Sequence, residues 1–162
     1  MEVLSRRPGE TEVLGAGLGG LLAGGELIAL TGPLGAGKTV FVRGLARGLG
    51  CPPGGVASPT YVLERVCRGR LVLRHLDAYR LSGAGEFEAA DLGAALAEPG
   101  SVAVLEWADR VAAALPEERL EVVFEVLPGE ERRLRLAGRG ARYLELVERL
   151  SALGLRGAAP GA

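Results

Sequence analysis

The stretch "GPLGAGKT", residues 32–39, has the residue types and spacing that point most directly to chemistry in this 162-residue chain. Gly-x-x-x-x-Gly-Lys-Thr is the pattern of a phosphate-binding loop. Glycines there let successive backbone N–H groups turn inward and cradle a β-phosphate at a helix N-terminus. Lys38 is placed to neutralise β/γ oxygens, and the Thr39 hydroxyl to ligate Mg²⁺. A plain glycine-rich turn is the competing reading, since the chain holds 26 glycines. Against it, Lys38 is the only lysine, and every other basic side chain except His75 is arginine. An ammonium is a compact point charge that reaches between phosphates, where a planar guanidinium is too wide.

A phosphate loop needs a carboxylate at the end of a neighbouring strand to hold the metal, directly or through water. Asp77 ends the run "LVLRHLD" and Glu106 ends "VAVLE". The other two aspartates, Asp91 and Asp109, fall in helical stretches and read as solvated. The chain has no glutamine, so orientation of an attacking water falls to Glu106, Asp77, a hydroxyl or the backbone. Sequence leaves open how the two acids divide metal coordination and water activation. His75 and Trp107, each the only residue of its type, lie beside these acids. His75 reads as a packed, hydrogen-bonded core residue. Trp107 either fills the core or lies close enough to the nucleotide pocket to report on binding. Arg80 reads as a surface residue or as a partner for a carboxylate or phosphate. In "ASPTYVLE", Pro59 removes a ladder donor and extends Ser58, which gives an edge strand. The functional alternative is a switch, with the Ser58 and Thr60 hydroxyls meeting the γ-phosphate or its Mg²⁺.

Elements must deliver these groups. Residues 11–22 have helical spacing with Thr11 as a possible cap, although four glycines weaken the segment. "ELIALTG" is a buried strand feeding the loop, and residues 38–49 form the helix after it. Residues 56–66 and 70–77 read as a hairpin joined at "CRGR". Residues 86–96 read as a short helix, 101–107 as a second buried strand and 109–115 as a helix. Residues 120–127 and 132–137 form a hairpin around "PGEE", with Glu121 and Glu125 on one face and Arg133 and Arg135 as cross-strand partners. Residues 142–153 close as a helix, and "RGAAPGA" is expected to be a flexible tail. The expected class is α/β, a three-layer α/β/α arrangement with a mixed, largely parallel sheet and antiparallel hairpin insertions. One domain spans residues 1–155, with 156–162 as the tail.

Composition narrows the function classes. A chain that is 48% hydrophobic at this length buries a sizeable core. A net charge of -1 argues against the broad basic surface of a protein that binds nucleic acid alone, though a local arginine patch remains able to touch RNA beside a partner. No apolar run is long enough to span a bilayer and the first residues do not read as a charged-then-apolar signal peptide, so the cytoplasm is the expected compartment. Cys51 and Cys67 have neither metal-site spacing nor a disulfide framework. The chain has no Asn or Gln, and no Met beyond Met1, which points to a hot habitat or to codon bias.

"GPLGAGKT", "SPTY", "HLDAYRL" and "LEW" occur in the order and approximate spacing of one family. The chain resembles the bacterial TsaE (YjeE) ATPases, from about Thr11 through the hairpin after Leu120. That family supports synthesis of the threonylcarbamoyl modification on adenosine 37 of tRNAs reading ANN codons. The resemblance implies ATP and Mg²⁺ as ligands and an ATPase that is weak alone. It implies a complex with the threonylcarbamoyl-transferase subunit and its non-catalytic paralogue, of TsaD and TsaB type, through which tRNA is reached. Carried over by position, nucleotide contacts fall on Thr11, Gly35, Ala36, Gly37, Lys38, Thr39 and Val40. The metal-associated residues fall on Thr39 and Glu106, and an essential acid on Asp77. Family members usually carry Asp where this chain has Pro33, in the loop's variable middle. Two other classes compete: a small-molecule kinase using the same loop, and a module that binds ATP without hydrolysing it.

Overall fold

A computed structural model describes residues 1–54, 56, 63–96 and 98–155. Among them, seven strands form one sheet: β1 (Glu2–Ser5), β2 (Glu26–Thr31), β3 (Glu64–Arg68), β4 (Val72–Asp77), β5 (Ser101–Glu106), β6 (Arg119–Val126) and β7 (Arg132–Arg139). Their order across the sheet is β1-β7-β6-β2-β5-β4-β3. The central strands β6, β2, β5 and β4 are parallel. Antiparallel β3 flanks them on one side, and β7 with β1 on the other. β5 is buried along its whole length and β2 along all but Thr31, as the continuous apolar runs of a sheet covered on both faces require.

Side chains that alternate along these strands feed two cores. On one face, Ile28, Leu30, Val102 and Val104 pack with α1 (Pro8–Leu21), α2 (Lys38–Gly48) and α4 (Ala141–Ala152). On the other, Leu27, Ala29, Ala103 and Leu105 meet α3 (Ala84–Ala89) and two 3₁₀ segments, Leu92–Leu96 and Ala108–Ala114. The three-layer, largely parallel architecture read from the sequence is therefore present.

Several elements differ from the sequence reading. β1 was not expected; it is four residues long and pairs with β7 in the register Glu2↔Arg135 to Ser5↔Arg132. α1 begins at Pro8, not Thr11, because proline's fixed φ suits the first helical turn. Thr11 is therefore not the cap. It is buried, and its hydroxyl lies 2.8 Å from Ser5 Oγ. The expected helix over residues 86–96 breaks at Asp91, whose φ is 55°, and continues as a 3₁₀ turn. The expected helix over 109–115 is a 3₁₀ segment interrupted by non-helical Val111. In the first hairpin, Cys67 and Arg68 remain in register with Leu73 and Val72, so the turn comes after "CR". In the second hairpin, Glu125 pairs with Arg133 at 3.1 Å and Arg135 at 3.5 Å, as expected. Glu121 pairs instead with Arg119 at 2.7 Å and Arg139 at 2.9 Å, because its register partner is Ala137. The expected tail lies outside the described residues, as does most of the expected strand over 56–66.

The glycines that weaken α1 as an isolated helix serve its packing. A Cβ on Gly15 would lie 2.2 Å from the Phe41 carbonyl oxygen, and one on Gly19 2.4 Å from that of Leu45. From α2, a Cβ on Gly44 would meet the Glu12 oxygen at 2.0 Å, and one on Gly48 the Ala16 oxygen at 2.2 Å. The two helix backbones touch, which fixes the helix that leads out of the loop. Gly44→Ala gains about 1 kcal/mol of helix propensity, yet overpacking is expected to leave a net loss of about 2 kcal/mol. Guanidinium denaturation checks this: the midpoint falls if the backbones touch, and holds or rises if they do not.

Both cysteines are free. Burial, then the hydrogen bond with the Cys67 thiol, pushes the Cys51 thiol up to about 12, so it stays protonated near neutrality. Among the described residues, no helix is long and apolar enough to cross a membrane.

Candidate functional site

Because β2, β5 and β4 run parallel, their carboxyl ends meet at one edge of the sheet, where ligands of open α/β sheets bind. β2 ends at Thr31 and turns directly into the glycine-rich loop. Gly35 and Gly37 take φ values of +75° and +100°, a backbone that a side chain would strain. Gly37 then sits at the N-cap of α2, whose first residues are Lys38 and Thr39.

The two acids arrive together. Asp77 and Glu106 are register partners on β4 and β5, so their side chains leave the same face. Both are nearly inaccessible, at 4% and 3% exposure. The third buried carboxylate, Glu26, is accounted for at the opposite end of β2 by the Ala23 and Gly24 N–H groups and by Arg142. Thr39 Oγ1 donates to Glu106 Oε1 at 3.0 Å, and His75 Nε2 lies 2.8 Å from the same oxygen. Asp77 Oδ1 accepts the Tyr79 N–H at 2.8 Å.

Lys38 Nζ donates to the carbonyls of Gly32 at 2.6 Å and Pro33 at 2.9 Å. The ammonium also sits 3.9 Å from the Trp107 ring centroid, within cation–π range. Burial lowers its pKa from the ordinary lysine value, against the opposing pull of Glu106, Asp77 and Asp109. Trp107 itself is left-handed, at φ 59° and ψ 39°, a costly backbone for a bulky residue. That conformation turns the ring over Lys38 and against Tyr79, 4.9 Å away.

A cavity of about 260 Å³ lies between the loop and these side chains, lined by residues 34–40 with Asp77, Tyr79, Glu106 and Trp107. A second of about 130 Å³ shares Gly35, Gly37 and Val40 with it and is completed by Pro8, Thr11, Glu130 and Arg132. The structure thus brings Gly35, Ala36, Gly37, Lys38, Thr39, Val40, Asp77, Glu106 and Trp107 to one cavity, and Thr11 to its neighbour. Ser58 and Thr60, the switch residues read from sequence, lie outside the described residues. Arg80 and Asp91 do not line either cavity.

Three features escaped the sequence reading. Tyr79 packs on Trp107; it lies inside the run "HLDAYRL", two residues after Asp77, where the sequence reading gives it no role. Arg132 Nη2 reaches the Gly35 carbonyl at 3.5 Å from a strand nearly a hundred positions away, which no local pattern reveals. His75 is the expected buried, hydrogen-bonded histidine, but its partner is a site acid.

Buried carboxylates beside the loop suit a bound cation. One hydroxyl and two carboxylates form a donor set that suits Mg²⁺, which keeps several waters and shares phosphate oxygens. The wall of positive-φ glycines at a helix N-terminus suits a phosphate chain. The residues present fit both groups.

Comparison with known proteins bears on the family and the fold. Residues 5–134 match the family model described as threonylcarbamoyl adenosine biosynthesis protein TsaE. The tRNA threonylcarbamoyladenosine biosynthesis protein TsaE of Treponema pallidum is 41% identical, over 85% of this chain and 100% of that protein. The protein of the same name from Streptomyces coelicolor is 42% identical, over 80% of this chain and 91% of its own. The crystal structure of Bacillus subtilis YdiB superposes with a TM-score of 0.75 at 32% identity, covering 95% of each chain. With the match running from the end of β1 through the loop and both strand-end acids into β7, the chain belongs to the TsaE family, whose members take part in threonylcarbamoyladenosine biosynthesis on tRNA.

Proposed function

We propose that this chain is an Mg²⁺-dependent ATPase whose nucleotide cycle regulates or resets a tRNA threonylcarbamoyl-transferase complex. The observation that carries the reading is the Thr39–Glu106 hydrogen bond beside Asp77, in the lining of a glycine-walled cavity. The triphosphate would lie along residues 35–39, with backbone N–H groups facing its oxygens and the base end toward Thr11 and Arg132. Lys38 would exchange the Gly32 and Pro33 carbonyls for phosphate oxygens, keeping its charge where negative charge accumulates. Thr39 and Glu106 would hold Mg²⁺, which when bound neutralises charge shared between β- and γ-oxygens. Asp77, the neighbouring carboxylate, would orient the water that displaces ADP from the γ-phosphorus and accept its proton.

The partners in this reading are the transferase subunit and its non-catalytic paralogue, with tRNA reached through them. Ser58 and Thr60, read from sequence between α2 and β3, would carry the state of the γ-phosphate to that pair. ATP binding and loss would then change the surface the pair meets. Phosphate release measured with and without the purified transferase pair tests the coupling. A faster rate in the pair's presence is expected, and a rate indifferent to the pair overturns the regulatory part of the proposal.

A further inference from the structure

Among the described residues, His75 is a buried polar side chain beside this site that does not line the cavity. It is 2% exposed, on β4 two residues before Asp77, and therefore on the same sheet face as both acids. Its Nε2 lies 2.8 Å from Glu106 Oε1. A carboxylate oxygen accepts, so Nε2 carries the proton in this contact and Nδ1 is left as an acceptor. Among the described residues, Nδ1 is buried and has no hydrogen-bond partner. An unsatisfied buried acceptor is destabilising. An apolar residue of similar shape would remove that defect, so packing alone does not account for a histidine here.

What the imidazole supplies is a second fixed donor to one oxygen of Glu106. Thr39 Oγ1 and His75 Nε2 both point at Oε1, from α2 and β4, and together they fix the rotation of the carboxylate. Thr39 is itself an expected metal ligand, and its oxygen can offer a lone pair to a cation while its proton stays hydrogen-bonded to Glu106. His75 holds the same oxygen from the strand side, through a donor that takes no part in ligation. Groups behind a metal ligand commonly act this way, fixing its orientation.

We infer that His75 is a positioning residue that locks Glu106 for the divalent cation through an Nε2–H donor. The inference rests on the Mg²⁺-nucleotide reading of the cavity, but not on hydrolysis. Two variants separate donation from packing: His75→Leu removes the donor, and His75→Gln keeps an amide N–H at similar reach. Nucleotide binding followed by Trp107 fluorescence is titrated with Mg²⁺ in each. His75→Leu is expected to raise the Mg²⁺ concentration needed for half-effect about tenfold, with Mg²⁺-free nucleotide affinity nearly unchanged. His75→Gln should stay within about threefold of the parent. A folded His75→Leu with parental Mg²⁺ dependence overturns the inference, as does a His75→Gln as impaired as His75→Leu.

Should His75→Leu fail to fold, the parent protein still decides. As the only imidazole in the chain, His75 gives a single pair of ring ¹⁵N resonances. A protonated Nε2 with a slowly exchanging hydrogen and a bare Nδ1 is expected, and the opposite tautomer overturns the proposal. A chain that binds Mg²⁺-nucleotide with this behaviour but never turns it over would remove the ATPase reading and leave His75's role standing.

Discussion

Lys38→Ala is expected to weaken ATP binding about 100-fold and to slow turnover about 1000-fold, since it removes the buried positive charge that would meet the phosphates in the proposed function. The ammonium is held by the loop's own Gly32 and Pro33 carbonyls and by the Trp107 ring. Removing it frees two carbonyls to meet water, so the fold itself should persist. Lys38→Arg is expected to restore little, because a planar guanidinium does not fit the space of a point charge between phosphates. Isothermal titration with ATP is the suitable readout, since the substitution also perturbs Trp107. Near-parental affinity in Lys38→Ala would mean that nucleotide does not lie along this loop.

Glu106→Gln should separate binding from turnover. The substitution keeps the shape and a hydrogen-bonding oxygen for Thr39 and His75 but removes the charge. Hydrolysis is expected to fall about 1000-fold, with Mg²⁺-free nucleotide affinity changing only a few-fold. Stability should change little, because the amide keeps an acceptor for Thr39 and His75. Single-turnover phosphate release and thermal denaturation on the same sample check both halves. Full hydrolysis by Glu106→Gln would move the metal role to Asp77.

What the sequence revealed depended on whether the cause was local. The loop was legible because its glycines, lysine and threonine act within eight residues. β2 and β5 were legible as continuous apolar runs, and parallel strands covered on both faces put their terminal acids at one edge. The lone lysine told more than the motif, since arginine fills nearly every other basic position. Features set by distant pairing were hidden. β1 is too short for an alternation signal and exists because β7, some 130 residues later, accepts it. Thr11 read as a cap because the Ser5 hydroxyl that takes its hydrogen bond belongs to that unseen strand. The α1 glycines read as a weakness because the α2 backbone beside them is a tertiary fact. His75 read correctly as buried and hydrogen-bonded, but its partner required the β4–β5 register.

The central claim is that this cavity hydrolyses ATP in the service of tRNA modification. Its most direct test is the threonylcarbamoyladenosine content at position 37 in tRNA from cells lacking this chain, complemented either with the parent sequence or with Glu106→Gln at equal expression. The account predicts loss of the modification on deletion, restoration by the parent and no restoration by Glu106→Gln. Unchanged modification in the deletion, or full restoration by Glu106→Gln, would contradict it.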